Sequence, residues 1–353
     1  MINVNDLAQT VQTNCHISDA RHAGSYSMCV FLLKMREYFR WEHQIPLSHK
    51  LEKAAIGAWL QEKEQSWEGF EDHPYEPLQL ERGETDPFNA KQINEELIPL
   101  GYIYSSGYGV FNKPHFFLGQ LKRTYQHNGV TIYIAAREYA RDLVAPPAMS
   151  QGDTIFIREE SLRRMIWEKI EEWQWKQDQD TAMARVLGFY RKEQDVERIL
   201  DHLCENESNN VLLHEVGEAQ AGKLLGHEWE EMLNDIPRSK TELQLRAVRD
   251  HLADCLSTLP ALLEDENIPS LHFYFANFTG MRKELFPSAV QAYKRWVQTG
   301  KLTPIENLAT AGRKHWADMA SELLAAWRDL SGKEDKHSEE ERFQTLEKLI
   351  QPL

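Results

Sequence analysis

Two copies of one small pattern lie close together in VLLHEVGEAQAGKLLGHEWEEM, residues 211–232: His214-Glu215 followed by Glu218, and His227-Glu228 followed by Glu231. An imidazole and a carboxylate one helical turn apart can share a divalent metal or pass a proton. Which copy does either depends on which one faces inward. An α-helix turns roughly 100° per residue. On one continuous helix, Val211, His214, Glu218, Ala221, Leu225, Trp229 and Met232 form a single stripe, the spacing of a buried face. His214 and Glu218 are its polar members. His227, Glu230 and Glu231 fall away from it with Gln220 and Lys223, so the second copy is expected in solvent and the first inside.

A carboxylate driven inward needs a partner, because burying it alone costs several kcal/mol (roughly, from transfer data). The plain partner is His214 itself or an arginine, each group merely satisfying the other. The chemical partner is a divalent metal held by His214 and Glu218, with Glu215 as a general base. One helix cannot complete a coordination shell. The expected helix 241–263 carries a main stripe of Leu245, Val248, Leu252, Leu256, Leu259 and Leu263. About a quarter-turn away it carries a small polar strip of Ala247, His251, Asp254 and Thr258. His251 and Asp254 are the favoured completion of the site. A mixed nitrogen and oxygen set suits iron, manganese or zinc.

Secondary candidates stand elsewhere. His315 lies at the edge of the stripe Ile305, Leu308, Gly312, Trp316, Met319, Leu323 and Trp327 in the expected helix 304–330. His16, Asp19 and His22, in NCHISDARHAG, share one broad face if that segment is helical. His272, in LHFYFANF, reads as a packing residue. Cys15 beside His16 makes a poor nucleophile and base, because adjacent residues rarely face each other.

The elements that must position these groups divide the chain into three expected parts. Residues 1–70 read as N-terminal helices. YSMCVFLLKMREYFRWEH is apolar on most sides and is expected to be buried, and the next helix is expected to begin near Pro46 with Ser48 as its cap. Residues 71–150 read as a small antiparallel sheet built from YIYSSGYGVF, HFFLGQLKRTY and VTIYIAAREYA, with a hairpin turn at Asn128-Gly129 and NAKQINEELIPL as a covering helix. VAPPAMSQGDT breaks that pattern. Residues 151–353 read as a helical bundle, with Ser161 capping its first helix and the charged segment SGKEDKHSEEE as a linker. The fold class is therefore α+β, predominantly α-helical: a helical bundle with a small antiparallel β-sheet.

Bulk composition narrows the function classes. The 353 residues carry 55 acidic and 40 basic side chains, a net charge of −15. A field of that sign repels phosphate backbones, so nucleic acid is not an expected partner of this acidic protein. The cysteines Cys15, Cys29, Cys204 and Cys255 form no CxxC pair and signal neither a zinc knuckle nor a disulfide framework. No apolar run reaches membrane-spanning length and the polar N-terminus is no signal peptide, so a cytoplasmic protein without a membrane partner is expected.

VLLHEVGEAQAG resembles the zinc-metallopeptidase (zincin) helix, in which HExxH supplies two zinc ligands and a general base. His214 and Glu215 match the first ligand and the base, but Glu218 stands where the second histidine belongs, a departure that counts against peptidase chemistry. CHISDARHAGSYSMCVFLLKMREYFRWE together with HEVGEAQAGKLLGHEWEEM resembles a bacterial protein family of unknown function, a resemblance that brings no activity with it. The expectation from the residues themselves is a metal-dependent enzyme with a His and carboxylate site inside a helical bundle. The alternative is a non-catalytic protein that binds a protein partner or a small molecule, since ten tryptophans offer interface anchors.

Overall fold

Asn3 opens the first helix, α1 (Val4–His22), by accepting a hydrogen bond from the Asn5 N–H. The computed structural model describes all residues except 1, 128, 177, 191, 192, 194, 237, 238 and 332–338. Asn128 of the expected hairpin turn and most of the expected linker 331–341 lie outside the described residues. The chain divides into two units, residues 1–168 with 193–204, and residues 169–192 with 205–353.

In the first unit α1 is followed by α2 (Met28–Glu42), α3 (Lys53–Glu68), the short antiparallel pair β1 (Leu78–Leu80) and β2 (Gly83–Thr85), and α4 (Ala90–Leu97). A five-stranded sheet then forms from β3 (Tyr102–Tyr108), β4 (Pro114–His127), β5 (Val130–Arg141), β6 (Ala148–Gln151) and β7 (Thr154–Arg158), in the order β3-β4-β5-β7-β6. Leu7, Val11 and Cys15 of α1 and Ile93 and Leu97 of α4 pack with Tyr104, Phe116, Leu118 and Ala140 of the sheet. Asn94 fixes α4 to β3 by exchanging hydrogen bonds with the Tyr104 backbone, at 2.7 and 2.8 Å.

Three expectations about this unit need correcting. The sheet is mixed, because β5 pairs parallel to β7 while its other neighbours pair antiparallel. β5 ends at Arg141, and Pro146-Pro147 lead directly into the β6–β7 hairpin, whose four- and five-residue strands are too short to show a period. The second helix buries only Met35 and residues 37–40, leaving Met28, Val30, Leu32 and Leu33 exposed; a helix apolar all round has more apolar surface than one contact face can cover. Its successor α3 starts at Lys53 with Glu52 at the cap position, not near Pro46.

α5 (Glu159–Lys176), α6 (Ala182–Gly188), α7 (Val196–Leu225), α8 (His227–Asp235) and α9 (Lys240–Ala253) follow. After them come a π-turn (Asp254–Thr258), α10 (Leu259–Glu264), α11 (Ile268–Ala276), α12 (Gly280–Leu285), α13 (Pro287–Thr299), α14 (Thr303–Ser331) and α15 (Glu339–Leu349). Ser161 lies inside α5 rather than capping it, and donates to Glu138 at 2.6 Å. The second unit's core joins Trp229 and Met232 of α8, Leu245, Val248 and Leu252 of α9, Phe286, and Trp316, Met319 and Leu323 of α14. The whole expected α14 stripe is buried. The protein is thus α+β and mostly helical. Among the described residues no helix is long and apolar enough to cross a membrane.

The stretch 211–232 is two helices, not one. Gly226, at φ 74°, stops α7 and starts α8. His227, Glu230 and Glu231 are exposed on α8, as the wheel predicts, while Trp229 and Met232 are buried there.

Candidate functional site

α7 brings His214 and Glu218 to one face, with the imidazole Nε2 3.6 Å from Glu218 Oε1. Opposite them runs the continuous stretch from α9 into α10. Pro260 has no N–H to donate to the carbonyl four residues back, and the stretch widens into the π-turn just before it. That turn presents Asp254, whose Oδ1 lies 2.7 Å from His214 Nδ1.

Asp254 is held from several sides. Thr258 Oγ1 donates to Oδ1 at 3.2 Å and Tyr274 Oη to Oδ2 at 2.9 Å, while the Arg282 guanidinium of α12 pairs with Oδ2. The Arg282 head also sits 5.8 and 5.7 Å from the ring centres of Tyr274 and Phe278. On the other flank Arg249 Nη2 pairs with Glu218 Oε2 at 3.0 Å. His214, Glu218 and Asp250 each offer one ligand atom, all within 4.8 Å of one another. The His214 side chain keeps 25% of its surface exposed and Asp254 keeps 1%, so the site opens at the imidazole and is closed behind it.

The charges explain the arrangement. Burial alone would lower the His214 pKa, but Asp254 and Glu218 outweigh it and raise it to about 10. Burial would push Asp254 up, yet Arg282 and His214 hold it well below the usual carboxylate range. Burial raises Glu218 as well, and Arg249 and His214 bring it below its ordinary value. Asp250 is the exception: burial, then the charge of Glu218, push it up to about 6. The cluster therefore joins an imidazole that its carboxylate neighbours keep protonated, an ionised carboxylate and a carboxyl group raised toward neutrality. These groups can pass a proton as they stand, and an ion bound there would first displace the imidazole proton.

The other sequence candidates lie as follows. Glu215 is buried beside His214, and its charge, with those of Glu218 and Asp250, stabilises the Arg249 cation. His251 is fully buried against Phe286 and Trp316, with ring centres 5.0 and 4.8 Å away; burial and Arg282 push it down to about 3, so it is a neutral packing group. His315 faces the Gln351 carbonyl oxygen at 3.0 Å. His272 stacks on Trp296, 4.4 Å between ring centres, with Nδ1 2.9 Å from Tyr293 Oη.

The N-terminal group belongs to the first unit and does not converge on one point. His16 accepts from Trp67 Nε1 at 3.2 Å among aromatic rings, and His22 Nδ1 meets the Ser18 carbonyl at 2.8 Å. Asp19, wholly buried, pairs with Lys113 at 2.8 Å and accepts from the Leu143 N–H at 2.7 Å. Cys15 donates to the Phe116 carbonyl, and burial pushes its thiol up, which makes it a weak nucleophile. Among the described residues, His214, Glu218 and Asp250 are the one group of three or more such side chains close enough to share an ion.

Asp250, Arg249, Tyr274 and Arg282 escaped the sequence reading. Asp250 had a local signal: it is three residues after Ala247 and four before Asp254, on the side of the polar strip. Arg282 and Tyr274 had none, since they reach Asp254 from other helices.

Residues 6–158 match the N-terminal domain, and residues 163–345 the C-terminal domain, of a family of unknown function (DUF6866). No curated protein and no solved structure matches the chain. None of these comparisons shows the zincin-like likeness of residues 211–222.

Proposed function

The chain belongs to this family of unknown function, and we propose that it is a metal-dependent enzyme in which His214, Glu218 and Asp250 hold one divalent ion. The observation that carries the proposal is the convergence of three ligand atoms within 4.8 Å, one of them on an imidazole whose other nitrogen is already held by Asp254. A carboxylate behind a ligating histidine fixes its tautomer and aims its free nitrogen, the usual support for a metal ligand. The two oxygens of Glu218 divide the work: Oε1 faces His214 and Oε2 faces Arg249. One nitrogen and two oxygens suit iron, manganese or zinc. Glu215 is the general base in this reading, and the substrate is a small molecule met in the cytoplasm that approaches the exposed edge of His214.

Metal analysis of the purified full chain tests the proposal, with His214→Ala and Asp250→Asn as controls whose folding is checked by circular dichroism. The expected result is about one bound ion in the native protein and little in either variant. Protein free of metal after dialysis against iron, manganese or zinc, or metal content unchanged in both variants, removes the proposal.

One observation favours a second reading, a partner-binding protein. The exposed Met28, Val30, Leu32 and Leu33 crowd the first half of α2. Substituting them would abolish association under that reading and leave metal content untouched.

A further inference from the structure

In the first unit two buried arginines lack acceptors. Arg141, at the end of β5, is 1% exposed, and Arg164, on α5, is 6% exposed. Nε and Nη2 of Arg141, and Nε and Nη1 of Arg164, have no hydrogen-bond partner. Arg164 uses only Nη2, donating to the Ala145 carbonyl at 2.6 Å. The two guanidinium groups are near enough to disfavour each other: burial first, and then the Arg141 charge, lower the Arg164 pKa to about 10.

Three of the four neighbouring carboxylates are engaged elsewhere, and the fourth reaches Arg164 only at long range. Glu138 takes both forks of Arg158, at 3.1 and 2.8 Å, and the Ser161 hydroxyl. Glu160 accepts from the Glu138 backbone N–H at 2.7 Å. Asp142 pairs with His115. Glu168 gives Oε2 to Lys34, while its Oε1, buried and without a hydrogen-bond partner, forms a long ion pair with Arg164 Nε at 4.0 Å, beyond hydrogen-bond reach. Arg141 instead lies over the faces of Tyr38 and Trp41, 5.6 and 5.2 Å from their ring centres, contacts that hold the guanidinium in place without satisfying its N–H groups.

Two buried cations with four orphan donor nitrogens and one long ion pair, to Glu168, are under-compensated in charge and in hydrogen bonds. We propose that Arg141 and Arg164 form an oxyanion site that binds a carboxylate or phosphate group between their two forks. Planar guanidinium forks match the paired oxygens of such groups and add charge to the hydrogen bonds. The orphan nitrogens are shut off from solvent, so the anion is enclosed and the site excludes weakly bound surface ions.

Thermal unfolding and calorimetry of the full chain test the site, using inorganic phosphate and citrate as probes against chloride at equal ionic strength. Saturable binding of one probe, with a rise in Tm, is expected. Arg141→Gln and Arg164→Gln should each weaken it at least tenfold. Arg164→Lys, which keeps the charge and removes the fork, should also weaken it, and it serves if a Gln variant fails to fold. Saturation by phosphate alone assigns a phosphate ligand, by citrate alone a carboxylate, and by both a general oxyanion site. Neither probe outperforming chloride, or equal binding by the folded variants, overturns the proposal and leaves the orphan donors to water.

Discussion

Gly217 of α7 lies directly against the backbone of Ala253, so that a Cβ at residue 217 would collide with the Ala253 carbonyl. This close approach sits between His214 and Glu218 on one helix, and immediately before Asp254 on the other. The missing side chain is what lets the two helices come near enough for the 2.7 Å bond between His214 and Asp254. Gly217→Ala should force the backbones apart and destabilise the fold by about 1–3 kcal/mol, the usual range for overpacking. It should also lower metal retention without touching a ligand. Denaturant unfolding and metal analysis check both; a Gly217→Ala protein with native stability and native metal content would show that the contact does not matter.

Asp254→Asn tests the charges behind the site. The substitution leaves Arg282 and His214 facing a neutral amide in a place where Asp254 is 1% exposed. Removing one partner of a buried ion pair costs roughly 3–5 kcal/mol, and the partial exposure of Arg282 puts the expected loss toward the lower end. Metal affinity should fall by roughly 10–100-fold, as when other carboxylates behind a ligating histidine are removed. Chemical denaturation gives the first number and metal titration the second. A stability loss with unchanged affinity would make Asp254 a structural anchor only.

Glu207 sets a pH dependence away from the proposed metal ligands. It accepts from Ser270 Oγ at 3.0 Å and Asn210 Nδ2 at 3.1 Å, and burial raises its pKa to about 7 against an ordinary 4.5. A carboxyl group raised in the folded state contributes nothing unfavourable below pH about 4.5. Its cost grows as pH climbs and levels off once pH passes about 7. That difference corresponds to about 3 kcal/mol at full ionisation. Glu207→Gln should therefore be nearly neutral at pH 5 and stabilising at pH 8, read from unfolding curves at the two pH values. Equal effects at both would mean that Glu207 stays ionised throughout.

What the sequence revealed and what it hid follow from range. The α7 stripe needs only the helical period, and it turned His214 and Glu218 toward the polar strip carrying Asp254. The same wheel ran past Gly226, where a positive φ ends the helix; that Trp229 and Met232 are buried anyway is owed to α8 packing in the core. His251 shares the strip with Asp254, but Phe286 and Trp316 arrive from elsewhere and enclose it. Arg282 is invisible for the same reason, since a charge donated by another helix leaves no spacing to read. In the sheet, three long strands announce themselves, whereas the parallel pairing of β5 with β7 depends on a hairpin too short to show a period.

Asp19 provides the last contrast. It shares α1 with His16 and His22, yet it binds Lys113 and the Leu143 N–H in an interior where its exposure is 0%. Its geometry is that of an anchor between α1 and the chain flanking β4 and β5, not of a ligand waiting for an ion. Asp19→Ala leaves the Lys113 ammonium, itself 6% exposed, with Asp142 at 4.0 Å as its remaining carboxylate, and should cost about 3 kcal/mol, the lower end for a buried pair that loses one partner. Asp19→Ala with Lys113→Met removes both charges and should recover most of that loss. Neither variant should change the metal content of the folded protein, because the proposed ligands stand in the other unit. Loss of metal from folded Asp19→Ala protein would make the N-terminal cluster a functional site and overturn the proposed ion at His214.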